Sequence, residues 1–216
     1  MKNLKISIIV DNVNSWMTNH AKKFSARLKK EGHRAEFVQT HEKIRNGDVA
    51  VFLSCEKIVK PEILKRNGHN LVVHESDLPQ GKGWSPTTWQ VLEGKKKIPI
   101  CLFEAANKVD AGPIYYKSFV KLDGSELVDE IREKQAEQTF FLVEKFISDY
   151  PNVRGKPQKG KESFYGKRTP QDSELDINKP IKDQFNLLRV VDNERYPAFF
   201  MHGGKKYIIK IVRGEG

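Results

Sequence analysis

Two cysteines in 216 residues, Cys55 and Cys101, are too few for a disulfide framework and lack the paired spacing of a zinc site. Apolar runs are short. Ile6 to Val10 and Ile208 to Ile211 fall well below the ~20 residues of a membrane-spanning helix. The opening Met1-Lys2-Asn3-Leu4-Lys5 leads into no long apolar stretch with a small-residue cleavage site, so no signal peptide is expected. The turn after the first predicted strand, Asp11-Asn-Val-Asn-Ser15, holds no G-x-G-x-x-G, and a P-loop, a His-Glu-x-x-His pair and a G-x-S-x-G elbow are all missing. His20, His33, His41, His69, His74 and His202 form no metal-ligand spacing. The expectation is a soluble cytoplasmic protein with no membrane segment and no metal.

What is abundant is charge. Thirty-eight lysines and arginines against 28 acidic residues give +10, a balance compatible with nucleic acid, a phosphorylated ligand or a solvated surface. Residues 151–216 carry 14 basic against 8 acidic side chains, so more than half of the excess sits in the last third. The signs are interspersed, except in short runs such as Lys95-Lys96-Lys97. That pattern suits a basic ligand groove better than a nucleic-acid arm, and a nucleic-acid partner is not expected.

The first 150 residues alternate strand and helix patterns. Leu4 to Val10 reads as a strand buried on both faces, and Ser15 as the cap of a helix from Trp16 to about Lys30. Strands follow around Arg34 to Val38, Val49 to Leu53 and Asn70 to His74, then a short helix opened by Ser85-Pro86. Ile98 to Glu104 and Ile114 to Val120 read as antiparallel neighbours. Asp123-Gly-Ser-Glu126 resembles a capping box opening a long helix from about Glu126 to Ser148. The expected fold class is therefore α/β, an open, mostly parallel, Rossmann-like sheet. Pro, Gly and Lys from Pro151 to Ser163 mark the boundary between an α/β domain, 1–150, and a C-terminal extension, 151–216. The extension should hold a helix from Ile181 to Val191 and a hairpin, Tyr196 to Met201 and Lys206 to Val212, about His202-Gly203-Gly204.

Chemistry concentrates in two stretches. One predicted strand ends in Val72-Val-His-Glu-Ser-Asp-Leu-Pro79, and Val109-Asp-Ala-Gly-Pro-Ile114 comes about thirty residues later. Carboxyl ends of strands border the ligand crevice in an open α/β sheet, so His74 and Asp110 can converge there. Singly, each has an ordinary reading, as a hydrogen-bonded strand-end histidine and a turn-forming aspartate. Together, with His74-Glu-Ser76-Asp-Leu78-Pro79 and Asp110-Ala-Gly112, they resemble the formyltransferase family of glycinamide ribonucleotide, methionyl-tRNA and sugar N-formyltransferases. The resemblance runs from residue 1 to about 150. It implies the formyltransferase fold, N10-formyltetrahydrofolate as formyl donor, a primary amine as acceptor, and catalysis by His74 and Asp110. It also implies folate contacts from Glu56, Lys57, Ile58 and Val59, and from Asn107, Lys108 and Val109.

One position departs from the family pattern. Where the family has asparagine this chain has Val72, on the same strand face as His74, and Asn70 lies ~6–7 Å back along the strand. Amine attack on a formyl carbon puts negative charge on oxygen, and each donor aimed at it supplies ~3–4 kcal/mol. Under the resemblance His74 is such a donor and proton relay, oriented by Asp110, and another group completes the site.

The extension narrows the acceptor. Tyr165-Gly-Lys-Arg168-Thr169, Phe185 to Arg189 and Tyr196 to Phe200 resemble the C-terminal block of sugar-nucleotide N-formyltransferases. Lys82, Arg168 and Arg189 are candidate pyrophosphate contacts, with Trp84, Tyr196 or Phe199 stacking on a base. Asn14, Trp16, Ser76 and Thr169 complete the candidate substrate wall. The overall pattern is most similar to N-formyltransferases of pseudaminic acid pathways, which implies a UDP-linked 4-amino-4,6-dideoxy-N-acetyl-altrosamine. Two alternatives stay open: an RNA-binding enzyme of the methionyl-tRNA type, and a non-catalytic folate or nucleotide module. The edge of the C-terminal hairpin suggests a homodimer.

Overall fold

The computed structural model describes residues 3–214. The near-continuous apolar run after Leu4 forms β1 (Lys5–Ile9), buried on both faces as its pattern dictates. It is followed by α1 (Met17–Lys30), β2 (Arg34–Val38), β3 (Gly47–Phe52), the one-turn α2 (Pro61–Leu64) and β4 (Asn67–His74). A two-residue β5 (Lys82–Gly83) and α3 (Pro86–Leu92) lead into β6 (Lys97–Glu104), β7 (Ile114–Lys121) and the long α4 (Val128–Asp149).

Six strands form one sheet in the order β2-β1-β3-β4-β6-β7. The first four run parallel, β6 is antiparallel to β4, and β7 is antiparallel to β6. This is the mostly parallel α/β sheet expected from the sequence. Leu71, Val73, Ile100 and Leu102 pack with α1 and α4 in the main core, while Ile9, Ala50, Phe52 and Ile63 form a second cluster on the opposite face. Strand order reverses between β1 and β3, which places a crevice at their carboxyl ends.

The C-terminal part adds β8 (Phe164–Tyr165), the four-residue α5 (Phe185–Leu188), β9 (Ala198–His202) and β10 (Lys205–Ile209). β8 pairs with β5, and β9 and β10 make the expected hairpin. The helix expected from Ile181 to Val191 is not formed. A 3-10 turn over Ile181–Gln184 and then α5 replace it. The Gln184 side chain is spent on the loop behind it, donating to the carbonyls of Asp176 and Lys179 and accepting from the Asp176 N–H.

α4 also opens two residues later than the Asp123–Glu126 pattern suggested. Glu126 accepts the N–H groups of Asp123 (2.9 Å) and Gly124 (3.1 Å), and Glu130 caps the helix through the Leu127 N–H. Glu126 is freed for another partner, Arg189. Their side chains are 4% and 2% exposed and meet at 2.8 Å, and the Arg189 Nε also donates to the Glu126 carbonyl. Arg189 is thus a core cation that ties the extension to α4.

Burial tends to raise the Glu126 carboxyl, but the Lys134 ammonium and the neighbouring backbone N–H groups outweigh it and hold it at about 2. A carboxyl lower when folded than its ordinary 4.5 stabilises the protein above that value, and this contribution is lost as the pH falls from about 4.5 toward 2. Glu126→Gln, which leaves Arg189 buried without its counter-charge, should cost about 3–5 kcal/mol at neutral pH. Glu126→Gln combined with Arg189→Met should cost less. Denaturant unfolding of the three proteins checks both values, and the gap should narrow below pH 4.5.

Candidate active site

His74 is the last residue of β4 and is 7% exposed. Its Nε2 lies 2.8 Å from the Gly81 carbonyl and 3.8 Å from Asp110 Oδ2. The structure brings together two residues separated by 35 positions of chain. They do not share a direct hydrogen bond: Asp110 Oδ2 accepts the Gly83 N–H at 3.0 Å. Imidazole and carboxylate are both held by the Gly81–Gly83 turn.

The route by which Asp110 arrives differs from that inferred from strand ends. β6 is antiparallel to β4, so the chain leaves β6 at the wrong end, where the Ala105 N–H donates to the Asn70 carbonyl. Asn70 is four residues, or ~13 Å, behind His74. The loop 105–113 therefore runs back along the sheet to reach it. Gly112 permits this return, since a Cβ there would sit 1.7 Å from the Glu104 carbonyl oxygen. Asp110 itself is left-handed (φ 49°). Gln158 clamps the loop, donating to the carbonyls of Asp110 and Gly112, both at 2.9 Å.

The turn after His74 is held just as closely. The Gly81 N–H donates to Ser163 Oγ, the Lys82 N–H to the Ser163 carbonyl and the Trp84 N–H to the Tyr165 carbonyl. Gly83 (φ 99°) passes so near β8 that a Cβ would meet the Tyr165 carbonyl at 2.6 Å. Sequence reading missed both Gln158 and Ser163, which lie in a Pro/Gly/Lys-rich stretch that looks like a linker. No local pattern marks them.

The loop of Glu56, Lys57, Ile58 and Val59 follows β3, beside β4, at the same end of the sheet as His74. Asp11, just past β1, holds it by accepting the N–H groups of Glu56 (2.9 Å) and Lys57 (3.0 Å). Ile58 is 78% exposed, and Val59 packs on the second core cluster. Asn107, Lys108 and Val109 are exposed in the Asp110 loop. Asp11, His41 and Cys55 bring three ligand-type atoms within 4.8 Å of one another, a grouping invisible in sequence spacing. Burial, reinforced by the Asp11 charge, pushes the Cys55 thiol up to about 12.

Three candidate substrate contacts are corrected. Arg189 is sealed against Glu126 and cannot meet a pyrophosphate. Lys82 is 3% exposed and its ammonium is bound to Glu162. Phe199 is 5% exposed under the Lys206 ammonium and does not offer its face to a base. Arg168 donates to the Asp172 carbonyl and Ser173 Oγ, and Thr169 caps the next turn through Asp172. Ser76 is buried beside Gly81, with no partner for its hydroxyl. Trp84 and Tyr196 remain 40% exposed, and Lys167 sits over the Trp84 ring. Asn14 is exposed, while Trp16 packs on the main core below the Arg132 guanidinium.

At Val72 the structure supplies no amide. Val72 is half-buried against the second core cluster and against Leu78 and Phe103. The Asn70 amide is turned away to donate to the Leu64 carbonyl at 2.9 Å.

Among the described residues no helix is long and apolar enough to cross a membrane. A methionyl-tRNA formyltransferase of Sulfurihydrogenibium sp. is 27% identical over 160 residues, 72% of this chain and 51% of that protein. The chain thus spans about half the length of such curated relatives. Among solved structures, a methionyl-tRNA formyltransferase from Clostridium thermocellum superposes with a TM-score of 0.81 at 22% identity, over 97% of this chain and 94% of that one. A likely sugar N-formyltransferase from Mycobacterium tuberculosis gives 0.75 at 16% identity, over 99% of both. These likenesses establish a shared fold. The formyl transferase family model matches residues 12–143, a stretch that contains β4, His74 and the Asp110 loop, and the chain belongs to the formyl transferase family.

Proposed function

We propose that this protein moves a formyl group from N10-formyltetrahydrofolate to the 4-amino group of a nucleotide-linked amino sugar. The observation that carries the reading is the 3.8 Å approach of His74 and Asp110 at the tip of β4 in a formyl transferase chain. His74 donates to the oxygen that gains charge as the amine attacks, and it relays a proton between the two nitrogens. Asp110, fixed by the Gly83 N–H, sets its carboxyl group beside the imidazole during that relay. The loops of Glu56–Val59 and Asn107–Val109 hold the folate. They suit a flat ring that needs both backbone groups and apolar cover, since Ile58 and Val109 are 78% and 59% exposed.

The sugar reading draws on the extension. Tyr196 of the extension and Trp84, which keeps 40% exposure beside Lys167, are the candidates to stack on a base, and Arg168, Thr169, Asn14, Trp16 and Ser76 are the remaining candidate contacts. The finer assignment is a UDP-linked 4-amino-4,6-dideoxy-N-acetyl-altrosamine in the cytoplasm, as in pseudaminic acid pathways. A second copy of the chain is the proposed partner of the β9–β10 hairpin, whose Met201, Tyr207 and Ile208 are exposed.

The test is formyl transfer by purified protein from N10-formyltetrahydrofolate to a panel of UDP- and dTDP-linked 4-amino sugars. His74→Asn and Asp110→Asn should each lower kcat by at least ~100-fold. Near-normal turnover in either variant removes the assigned role.

The likeness to methionyl-tRNA formyltransferases and the +10 charge favour a second reading, transfer to aminoacyl-tRNA. An RNA acceptor neutralising several phosphates would bind with an affinity falling steeply with salt, with a log–log slope near the number of contacts. A nucleotide sugar should give a shallow slope. Titration of each acceptor at several salt concentrations separates the two.

A further inference from the structure

Three ligand-type side chains meet beside the Glu56–Val59 loop, and the chemistry proposed above uses none of them. Each stands shortly past the carboxyl end of a parallel strand: Asp11 after β1, His41 after β2 and Cys55 after β3. Those strands are neighbours in the order β2-β1-β3, so the sheet itself gathers residues that lie far apart in the chain. One ligand atom from each lies within 4.8 Å of the other two. The Asp11 and His41 side chains are only 2% and 9% exposed, yet their polar atoms are poorly matched. His41 Nε2 is buried and makes no hydrogen bond, although it lies 3.3 Å from Asp11 Oδ2. The imidazole is fixed there by Phe52, whose ring packs at right angles to it with centroids 5.9 Å apart. Asp11 accepts the N–H groups of Glu56 and Lys57, and among the described residues no lysine or arginine pairs with it. The Cys55 thiol rests on long contacts with the carbonyls of Ile9 (3.6 Å) and Leu53 (3.8 Å). Buried charges are normally paired or bound to a metal. An unbonded imidazole nitrogen, a carboxylate without a counter-ion and a thiol call for a cation between them.

We propose that Asp11, His41 and Cys55 bind one zinc ion, and that the ion pins the Glu56–Val59 loop to the sheet. The donor set selects the metal. Thiolate, imidazole and carboxylate together suit zinc, whereas magnesium and calcium take oxygen ligands. The spacing agrees. A tetrahedral zinc ion holding nitrogen and oxygen at ~2.0–2.1 Å sets them ~3.3 Å apart, which is the separation of His41 Nε2 from Asp11 Oδ2. A charge-assisted hydrogen bond between them would be shorter, ~2.7–2.9 Å. Sulfur at ~2.3 Å from the ion sits ~3.5 Å from the other two atoms, and Cys55 comes to that distance from within 4.8 Å by a small side-chain rotation. On binding, the S–H bond breaks, the Zn–S bond forms and the proton goes to solvent; no electron is transferred. Water takes the fourth position. Asp11 carries the effect to the loop, because the carboxylate that holds the ion also accepts the Glu56 and Lys57 N–H groups. The site stands whether or not that loop takes folate.

Zinc and cobalt(II) alone are the probes, added to the full chain after a chelator has removed any metal. Calorimetry should show about one zinc ion bound per chain, with a Kd in the micromolar range or tighter. Cobalt should give thiolate-to-metal charge-transfer absorption and the intense visible bands of a tetrahedral ion. Cys55→Ser should abolish the charge-transfer absorption and weaken zinc binding by about 100-fold or more. Circular dichroism checks that this variant folds. His41→Gln gives an independent test: it should weaken zinc binding to a similar extent while keeping the charge-transfer absorption. Zinc should also slow hydrogen exchange at the Glu56 and Lys57 amides of the wild type. A wild type that binds no zinc at about 100-fold above micromolar concentration overturns the site. So does charge-transfer absorption that survives Cys55→Ser, since it would belong to the chain's other thiol, Cys101. Exchange at Glu56 and Lys57 that zinc leaves unchanged overturns the anchoring of the loop.

Discussion

The constraint on which the rest of this structure depends is the antiparallel direction of β6. A chain leaving a parallel strand would deliver the next loop directly to the crevice. A chain leaving β6 emerges beside Asn70 and must travel back toward His74. Every unusual feature of the Asp110 loop follows from that return. Gly112 must lack a side chain to pass the Glu104 carbonyl, and Asp110 must be left-handed to turn its carboxylate inward. Two carbonyls that the detour strips of ladder partners are satisfied by one glutamine, Gln158.

That glutamine lies outside the region matched by the family model, in a stretch whose composition suggests an idle connection. The same stretch supplies Ser163, which accepts the N–H groups of Gly81 and Lys82, and β8 follows at once to accept that of Trp84. Residues 156–165 therefore brace both walls of the site: the loop that carries Asp110 and the turn that faces His74. The extension is braced in turn by the buried Arg189–Glu126 pair. The chain's basic charge is in part structural, with Arg189 of the extension and Lys82 of the sheet region both paired with carboxylates.

How far the sequence could be read depends on how local the determining physics is. Sheet class, strand positions and the β6–β7 pairing were legible because burial on two faces writes continuous apolar runs, as in Ile6 to Val10. The His74 and Asp110 motifs were legible as spaced residue types. The helix over Ile181 to Val191 was misread because one side chain, Gln184, prefers the backbone behind it, a choice no periodicity records. Arg189 and Phe199 looked like ligand contacts because arginine and phenylalanine serve core and site equally well. Only their partners, Glu126 and Lys206, tell the roles apart. Asp11 escaped notice for a similar reason. It reads as a turn former, and its hold on Glu56 and Lys57 exists only once β1 and β3 lie side by side.

Val72 marks where apolar packing takes the place of a donor beside His74. An asparagine at position 72 would place a neutral donor on the His74 face, where an oxygen gains charge, and such a donor is worth ~3–4 kcal/mol. Here that face carries methyl groups packed against Leu78 and Phe103, and the Asn70 amide is committed to Leu64. On the formyltransferase reading, stabilisation of the oxygen falls more heavily on His74. The apolar substitution also lowers the local polarity around His74, which strengthens the field of the nearby Asp110 on the imidazole.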